Sequence, residues 1–169
     1  MTRRWVTVVS LALASTFTAS AATAQVQNYV PVTDAMLQNP DPNDWLNWRR
    51  TLDAQAHSPL DQITADNVGD LRLVWSWALR TGPQQTTPLV HDGVLYIANP
   101  GEIIHAINAA TGDLIWEYER GAEAPGNSFG GPPPGRMTRN ISMYEDKIFL
   151  NTADAHVVAV DAATGEEIW

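Results

Sequence analysis

The chain has 169 residues, with 10 lysines and arginines against 19 aspartates and glutamates and a formal net charge of −9. Its length suits one ordinary domain, and its content of 44% hydrophobic and 17% charged residues is typical of a globular protein. The acidic balance argues against a nucleic-acid partner, because phosphate neutralisation needs clustered lysines and arginines. The absence of cysteine excludes disulfides, thiolate metal sites and a cysteine nucleophile.

Residues 1–24 have the pattern of a secretory signal peptide. Arg3 and Arg4 form a basic start, Trp5–Ala14 an apolar stretch, and Ala22-Thr23-Ala24 a small-residue cleavage site. The apolar stretch is shorter than the roughly 20 residues of a membrane-spanning helix, and no other segment is predicted to span a bilayer. Export with cleavage before Gln25 is therefore predicted, and an uncleaved anchor is the alternative.

Two elements are predicted before the central part of the chain. Residues 25–44 form a polar, proline-bearing extension with a short helix at Thr33–Asn39. From Leu73 to Leu79, leucine and tryptophan alternate with valine, serine and alanine, which is the period of a half-buried strand. The sequence thus predicts one helix and one strand in this region.

The strongest internal signal is a repeat, because residues 88–116 and 141–169 align without a gap. Most pairs of equivalent positions keep their character, as Tyr96 and Phe149 do. The identical residues of the first unit are Ala106, Ala109, Ala110, Thr111, Gly112, Ile115 and Trp116, which recur as Ala159, Ala162, Ala163, Thr164, Gly165, Ile168 and Trp169. The two units are therefore predicted to share one structure.

Each unit contains short strand-like runs separated by turn residues. In the first unit, Val94–Ala98, Ile103–Ile107 and Leu114–Tyr118 are rich in β-branched and aromatic residues. Asp92-Gly93 and Thr111-Gly112 supply tight turns with a glycine suited to positive φ. Helical periodicity is absent from both units, so each is predicted to be a small antiparallel meander.

Such a meander cannot bury both of its faces alone and must stack against neighbours. Radial stacking of four-stranded sheets gives a β-propeller, and the tryptophan after each Thr-Gly turn is large enough to fill the gap between blades. Propellers have about four to eight blades, of which this chain supplies roughly two. Because it also ends inside a predicted strand at Trp169, the sequence is expected to be the N-terminal part of a longer protein.

The segment Gly121–Gly135, between the two units, is a loop by composition. A loop of this length within a compact repeat is often functional. A flexible surface insertion explains the composition equally well, so both interpretations stay open.

A further pattern lies in segments before and within the first unit. They are Asp44-Trp45-Leu46-Asn47-Trp48-Arg49, Ser58-Pro59-Leu60-Asp61-Gln62-Ile63, Asn67-Val68-Gly69-Asp70-Leu71-Arg72-Leu73-Val74-Trp75, Thr87-Pro88-Leu89-Val90 and Asp92-Gly93-Val94-Leu95-Tyr96. In this order they resemble the opening of the pyrroloquinoline quinone (PQQ)-dependent alcohol dehydrogenases, the methanol and ethanol dehydrogenase-like quinoproteins. Both Ala-Ala-Thr-Gly-x-x-Ile-Trp units look like the tryptophan-docking motif of that family, so the resemblance covers nearly all of 44–169.

The resemblance implies a fold, an activity and partners. The fold is all-β: after the signal peptide (1–24) and the extension (25–44), residues 45–169 form about two blades of an eight-bladed propeller that is incomplete at its C-terminus. Members of the family oxidise alcohols in the bacterial periplasm with PQQ and a Ca²⁺ or lanthanide ion, and pass electrons to a cytochrome c. The family's catalytic and metal-binding residues match no position here and are expected beyond residue 169, so these 169 residues alone are expected to be inactive.

Three residues match cofactor-binding positions of the family. Arg139 stands where an arginine binds a PQQ carboxylate, a task that suits the planar fork of a guanidinium. Thr152 matches a threonine that hydrogen-bonds the cofactor. Gln85 stands where a glutamate usually contacts PQQ, and it keeps the carbonyl acceptor but loses the charge. The alternatives are an exposed loop arginine, a strand-end threonine and a polar turn.

The chain also departs from the family pattern. Many members carry adjacent cysteines shortly before the cofactor-binding arginine, whereas the corresponding stretch here is Gly131–Arg136. Some relatives also lack this cysteine pair, so its absence narrows the range of subfamilies that the chain resembles. Residues that lack ligand spacing or lie in turns are predicted to be structural: His57, His91, His105, His156, Asp154 and Asp161.

Two other interpretations stay open. One is a noncatalytic PQQ-like repeat protein, such as an outer-membrane assembly scaffold, against which the Trp45-to-Trp75 block and Arg139 argue. The other is a truncated product with no activity of its own.

Overall fold

The computed structural model describes residues 24–82, 84–120, 139–152 and 155–169. Within these ranges an antiparallel sheet contains the strands β1 (Leu89–His91), β2 (Val94–Asn99), β3 (Ile103–Asn108) and β4 (Leu114–Glu119). A second described sheet contains β5 (Ile141–Tyr144), β6 (Lys147–Asn151) and β7 (Val157–Asp161). The helices of the described residues are α1 (Asp34–Gln38) and a 3₁₀ turn (Val68–Asp70). The predicted all-β architecture, with one blade from each repeat, is therefore confirmed.

The two sheets arise from the two sequence repeats. In the first sheet each strand pairs with the next one along the chain, and β2, β3 and β4 cover the three predicted runs. In the second sheet the chain after β7 continues the pattern, because the N–H of Asp161 donates to the carbonyl of Glu166 at 2.8 Å. The N–H of Ile168 likewise donates to the carbonyl of Ala159 at 2.8 Å. Residues 167–169 thus take the place that the beginning of β4 has in the first sheet.

Two kinds of turn set the register of each meander. Asp92 and Gly93 have φ angles of 47° and 75°, as a tight hairpin turn that follows the twist of the strands requires. Before the Thr-Gly turn, the side-chain oxygen of Asn108 accepts the N–H groups two and three residues later at 3.0 and 3.1 Å. The equivalent Asp161 does the same at 2.9 and 2.8 Å, which confirms its structural role. Asp154 lies outside the described residues.

A tryptophan ring joins each sheet to the chain that precedes it. The ring of Trp116 lies on Gly165 of the second sheet, and its Nε1 donates to the carbonyl of Ala162 at 3.1 Å. Trp75 lies in the same way on Gly112 of the first sheet, and its Nε1 donates at 3.0 Å to the carbonyl three residues before that glycine. The repeated docking role predicted for Trp116 is confirmed, and Trp75 has the same role. Trp169, the third equivalent residue, is 57% exposed.

The prediction of a strand from Leu73 to Leu79 is wrong, because this segment is extended but does not pair with another strand. No stretch of the described chain forms a ladder with it, and Leu73 and Val74 are 85% and 80% exposed. Exposure still alternates from Trp75 to Arg80. Alternate residues of an extended chain point to opposite sides. The alternating hydrophobic pattern therefore arises because one side of this segment contacts the first sheet.

The N-terminal extension contacts both sheets. The predicted helix is confirmed as α1, whose N-cap is Thr33. Val32 pairs with Glu145 in the β5–β6 turn, and Trp45 pairs with Val90 of β1. Main-chain hydrogen bonds thus hold the extension to the second sheet at Val32, and the residue that follows the extension, Trp45, to the first sheet.

The buried histidine of β1 holds the extension against the first sheet by hydrogen bonds. His91 is buried, with Nδ1 3.0 Å from a carboxylate oxygen of Asp44 and Nε2 2.7 Å from the carbonyl of Val30. The other oxygen of Asp44 accepts the N–H of Asp92 at 3.0 Å. Both ring nitrogens therefore contact oxygen acceptors, as expected of the structural histidine predicted here.

Buried tyrosines connect the two sheets. The hydroxyl of Tyr96 donates to the carbonyl of Ala162 at 3.2 Å, and that of Tyr118 donates to the carboxylate of Glu167 at 2.5 Å. Burial, and next the bond to Glu167, raise the pKa of Tyr118 above its ordinary value. The phenol therefore remains a hydrogen-bond donor over the whole neutral range.

Glycine at position 165 is expected to be essential for docking. A Cβ there would lie 2.7 Å from Cε3 of Trp116, at a φ of 78°. Gly165→Ala should lower the free energy of unfolding by about 2–4 kcal/mol, since left-handed strain adds to overpacking. Gly93→Ala is the matched control, because φ is 75° there but nothing lies within 4 Å of the added carbon. It should cost only about 1–2 kcal/mol. Equal urea midpoints for the two variants would contradict this account of the contact.

Candidate cofactor-binding site

The three predicted cofactor-binding residues lie at one edge of the two sheets. Gln85 precedes β1, Arg139 precedes β5, and Thr152 follows β6. Because neighbouring strands are antiparallel, the beginning of a first strand and the end of a second strand share an edge. We call this the strand-start edge; its described residues are 84–88, 99–102, 139–140, 151–152 and 155–156. The fold therefore brings the three candidates to the same edge from two different repeats.

A hydrogen bond joins the two blades at this edge. The main-chain N–H of Thr87 donates to Oδ1 of Asn140 at 3.2 Å. These residues occupy equivalent positions in the two repeats, each directly before the first residue of the repeat unit. The points at which β1 and β5 begin are thus in contact, and Gln85 and Arg139 lie within two residues of that contact.

The residues on either side of Gln85 are anchored to β2. The carbonyl of Ala98 accepts both Nε2 of Gln84 at 2.8 Å and the hydroxyl of Thr86 at 3.1 Å. Gln84 also donates to the hydroxyl of Thr86 at 2.8 Å. The Gln85 side chain, in contrast, is exposed. The anchored neighbours therefore hold the main chain while they leave the Gln85 amide accessible from solvent.

Arg139 and Thr152 have different surroundings. Arg139 is exposed at the strand-start edge, next to the part-buried Asn140. Thr152 is buried, and its hydroxyl donates to the carbonyl of His156 at 3.2 Å and accepts the N–H of the same residue at 3.1 Å. A hydroxyl has one hydrogen to donate, and in this arrangement the carbonyl of His156 accepts it. This position directly after β6 matches the strand-end threonine that the sequence left open as the alternative.

A polar cluster that the sequence did not predict lies under the same edge. His105 of β3 is buried, with Nε2 2.5 Å from the Glu117 carboxylate and Nδ1 2.6 Å from the Asn99 amide. The ring of Trp77 meets His105 edge-on, with centroids 5.6 Å apart. This network gives His105 the structural role predicted for it. The sequence carried no signal for the pairing, because its members come from three strands and from the extended segment that contains Trp77.

The described part of the chain has neither a cluster of metal-binding side chains nor a membrane-spanning helix. It contains no group of three or more histidine, aspartate or glutamate side chains arranged to hold a metal ion. None of its helices has the length and apolar character needed to cross a membrane. The loop Gly121–Gly135 and Arg136 lie outside the described residues.

Residues 45–169 match the PQQ family described as the glucose/ethanol/alcohol dehydrogenase β-propeller domain, and the chain belongs to this family. The dehydrogenase subunit of the quinone-dependent alcohol dehydrogenase of Acetobacter aceti is 40% identical over 129 residues, which are 76% of this chain and 17% of that protein. The 1-butanol dehydrogenase (cytochrome c) of Thauera butanivorans is 36% identical over 114 residues, 67% of this chain and 16% of that protein. The chain thus spans about one sixth of the length of these curated relatives.

Solved structures agree with this assignment. The quinohemoprotein alcohol dehydrogenase of Comamonas testosteroni superposes with a TM-score of 0.67 at 32% identity, over 80% of this chain and 22% of that one. A europium-containing methanol dehydrogenase superposes with a TM-score of 0.68 at 26% identity, over 80% of this chain and 24% of that one. The blades described above are therefore those of a quinoprotein propeller.

The hydroxyl of Thr152 is expected to stabilise the protein even without a cofactor. Thr152→Val keeps the branched shape but removes both hydroxyl bonds to His156. It should lower the free energy of unfolding of cofactor-free protein by about 1–2 kcal/mol, at about 1 kcal/mol per bond. Thr152→Ser keeps the hydroxyl and should lose less. Urea unfolding followed by tryptophan fluorescence measures this, and a Val variant as stable as wild type would show that the hydroxyl bonds to His156 do not stabilise the fold.

Proposed function

We propose that this chain serves a periplasmic PQQ-dependent dehydrogenase that oxidises alcohols and passes the electrons to a cytochrome c. In this proposal the strand-start edge of the two blades forms one wall of the PQQ site. The observation that carries it is the position of Arg139 and Gln85 on either side of the Thr87–Asn140 bond. Support for the electron acceptor comes from the relative named as a cytochrome c-linked 1-butanol dehydrogenase.

The residues at the strand-start edge fit the chemistry of PQQ, which is a quinone with three carboxylates. The exposed guanidinium of Arg139 can donate two parallel hydrogen bonds to one carboxylate. The Gln85 amide offers donors and an acceptor without a negative charge that would repel the ligand. PQQ, when bound, supplies the redox chemistry, and this chain's residues bind and orient it.

The proposed enzyme would also hold a metal ion, Ca²⁺ or a lanthanide, whose ligands the family resemblance places beyond residue 169. The described residues contain no cluster of the carboxylate oxygens that such hard cations require. No step of the reaction is therefore assigned to a metal on these two blades. The europium-containing relative supports a lanthanide as one of the two candidate ions.

Export to the periplasm is the remaining part of the proposal. Near the start of the extension, the N–H of Val26 donates to the carbonyl of Ala163 at 2.8 Å. Cleavage after Ala24 would leave this bond intact. N-terminal sequencing of periplasmic protein should therefore start at Gln25, because signal peptidase recognises the small residues Ala22-Thr23-Ala24. Recovery of the protein from the cytoplasm with Met1 in place would contradict export.

The role of Arg139 can be tested by titrating apo-protein, purified from its own host, with PQQ. Leaving a ligand carboxylate unpaired costs about 3–5 kcal/mol, on the scale of a broken buried ion pair. Arg139→Ala should therefore weaken PQQ binding by roughly 100- to 1000-fold, at about 1.4 kcal/mol per decade. Arg139→Lys should restore only part of the affinity, because an ammonium cannot reproduce the fork.

The matched control is Arg72→Ala, since Arg72 is also exposed and donates to the nearby carbonyls of Gly69 and Leu71. This variant should bind PQQ as wild type does. Equal affinities for wild type and Arg139→Ala would show that the arginine has no part in the site. A wild-type protein that binds no PQQ would favour the noncatalytic scaffold instead.

A further inference from the structure

The side chain of Asn140 occupies an unusual place between the blades. Asn140 is part-buried and directly follows Arg139, and its Oδ1 accepts the N–H of Thr87 from the preceding blade at 3.2 Å. Asn140 is thus next to the candidate arginine in sequence, and it also contacts the segment that carries Gln85.

The first blade offers Thr87 little other choice of acceptor. Leu89 pairs with Tyr96, so continuation of the ladder would place Thr87 opposite Ala98. The carbonyl of Ala98 already accepts the side chains of Gln84 and Thr86. The residue after Thr87 is Pro88, which has no N–H to contribute. A side chain from the next blade therefore completes the hydrogen bonding where β1 begins.

We propose that Asn140 is a positioning residue for PQQ, and this inference rests on the function proposed above. By fixing the main chain next to Arg139 against the segment of Gln85, it sets the distance between two groups that would bind one rigid ligand. A guanidinium fork keeps its advantage only when its approach is fixed, because two parallel hydrogen bonds require one geometry. Asn140 itself does not need to touch the ligand.

The proposal predicts an effect that depends on Arg139. Asn140→Ala should weaken PQQ binding about tenfold when Arg139 is present, because part of the affinity is then lost in ordering the arginine. In the background of Arg139→Ala, the same substitution should change the affinity less than about twofold, since no fork remains to be positioned. Such non-additivity is the signature of two residues that act together.

Restoring an acceptor oxygen at position 140 should restore the affinity for PQQ. Asn140→Asp keeps an oxygen at the same place in the side chain and should regain most of the lost affinity at high ionic strength. Salt is required because the new carboxylate would otherwise repel those of PQQ, and screening weakens that repulsion. The control is Asn67→Ala, which removes hydrogen bonds of a distant loop, to the N–H of Thr64 and the carbonyl of Gln62. It should leave PQQ affinity unchanged.

The experiment is a PQQ titration of apo-protein purified from its own host, followed by quenching of tryptophan fluorescence. Urea unfolding of each variant is measured in parallel. If Asn140→Ala lowers the unfolding midpoint, Asn140→Ser is used in its place, because the serine side chain is also too short to reach the N–H of Thr87. A similar loss of affinity in both Arg139 backgrounds would overturn the positioning role and leave the proposed function standing. So would an Asn140→Ala variant that binds as wild type does. A wild-type protein without PQQ affinity would overturn both.

Discussion

The structure depends on one contact that occurs twice, an indole ring lying on a glycine of positive φ. Trp75 covers Gly112 and Trp116 covers Gly165, and in both cases Nε1 bonds a carbonyl three residues before the glycine. The glycine is required twice over, since any Cβ would meet the ring and the backbone conformation strains other residues. The hydrogen bond fixes the orientation of the ring, so the contact sets both the spacing and the direction of stacking.

Stacking in one direction has a consequence for the candidate site. When two repeats with the same meander are related by a constant displacement, equivalent positions form neighbouring rows. Thr87 and Asn140 are such equivalents, and they are hydrogen-bonded to each other. Residues that precede the first strand of each repeat thus line one edge together, although the loop between the repeats separates them in sequence. A ligand at this edge would contact both blades, and its affinity would depend on how they are docked.

The N-terminal extension reinforces the same arrangement from the other edge. Val32 pairs with the β5–β6 turn, and Trp45, directly after the extension, pairs with β1. The buried His91 of β1 contacts both Val30 and Asp44 of the extension. A buried polar pair contributes little net stability when intact, but loss of one partner leaves the other uncompensated. The extension therefore specifies the relative position of the blades, in addition to the contribution of the tryptophan contacts.

The sequence by itself determined the features that repeat locally. The strands β2, β3 and β4, the Thr-Gly turns, the turn role of Asp161 and the docking of Trp116 follow from period, turn chemistry and the recurrence of one motif. The family resemblance picked out Gln85, Arg139 and Thr152, and the observed order of the strands placed them at one edge. Their neighbours Gln84, Thr86 and Asn140 were missed, and the only available signal was the equivalence of Thr87 and Asn140.

The tertiary structure alone decided the contacts between distant segments. It gave Trp75 a docking role, where the alternating pattern had predicted a half-buried strand. It also joined His91 to Asp44, His105 to Asn99 and Glu117, and Thr87 to Asn140. The reason is physical: local periodicity fixes which side of an element is buried, whereas the partner on that side depends on the angle and spacing at which whole sheets stack.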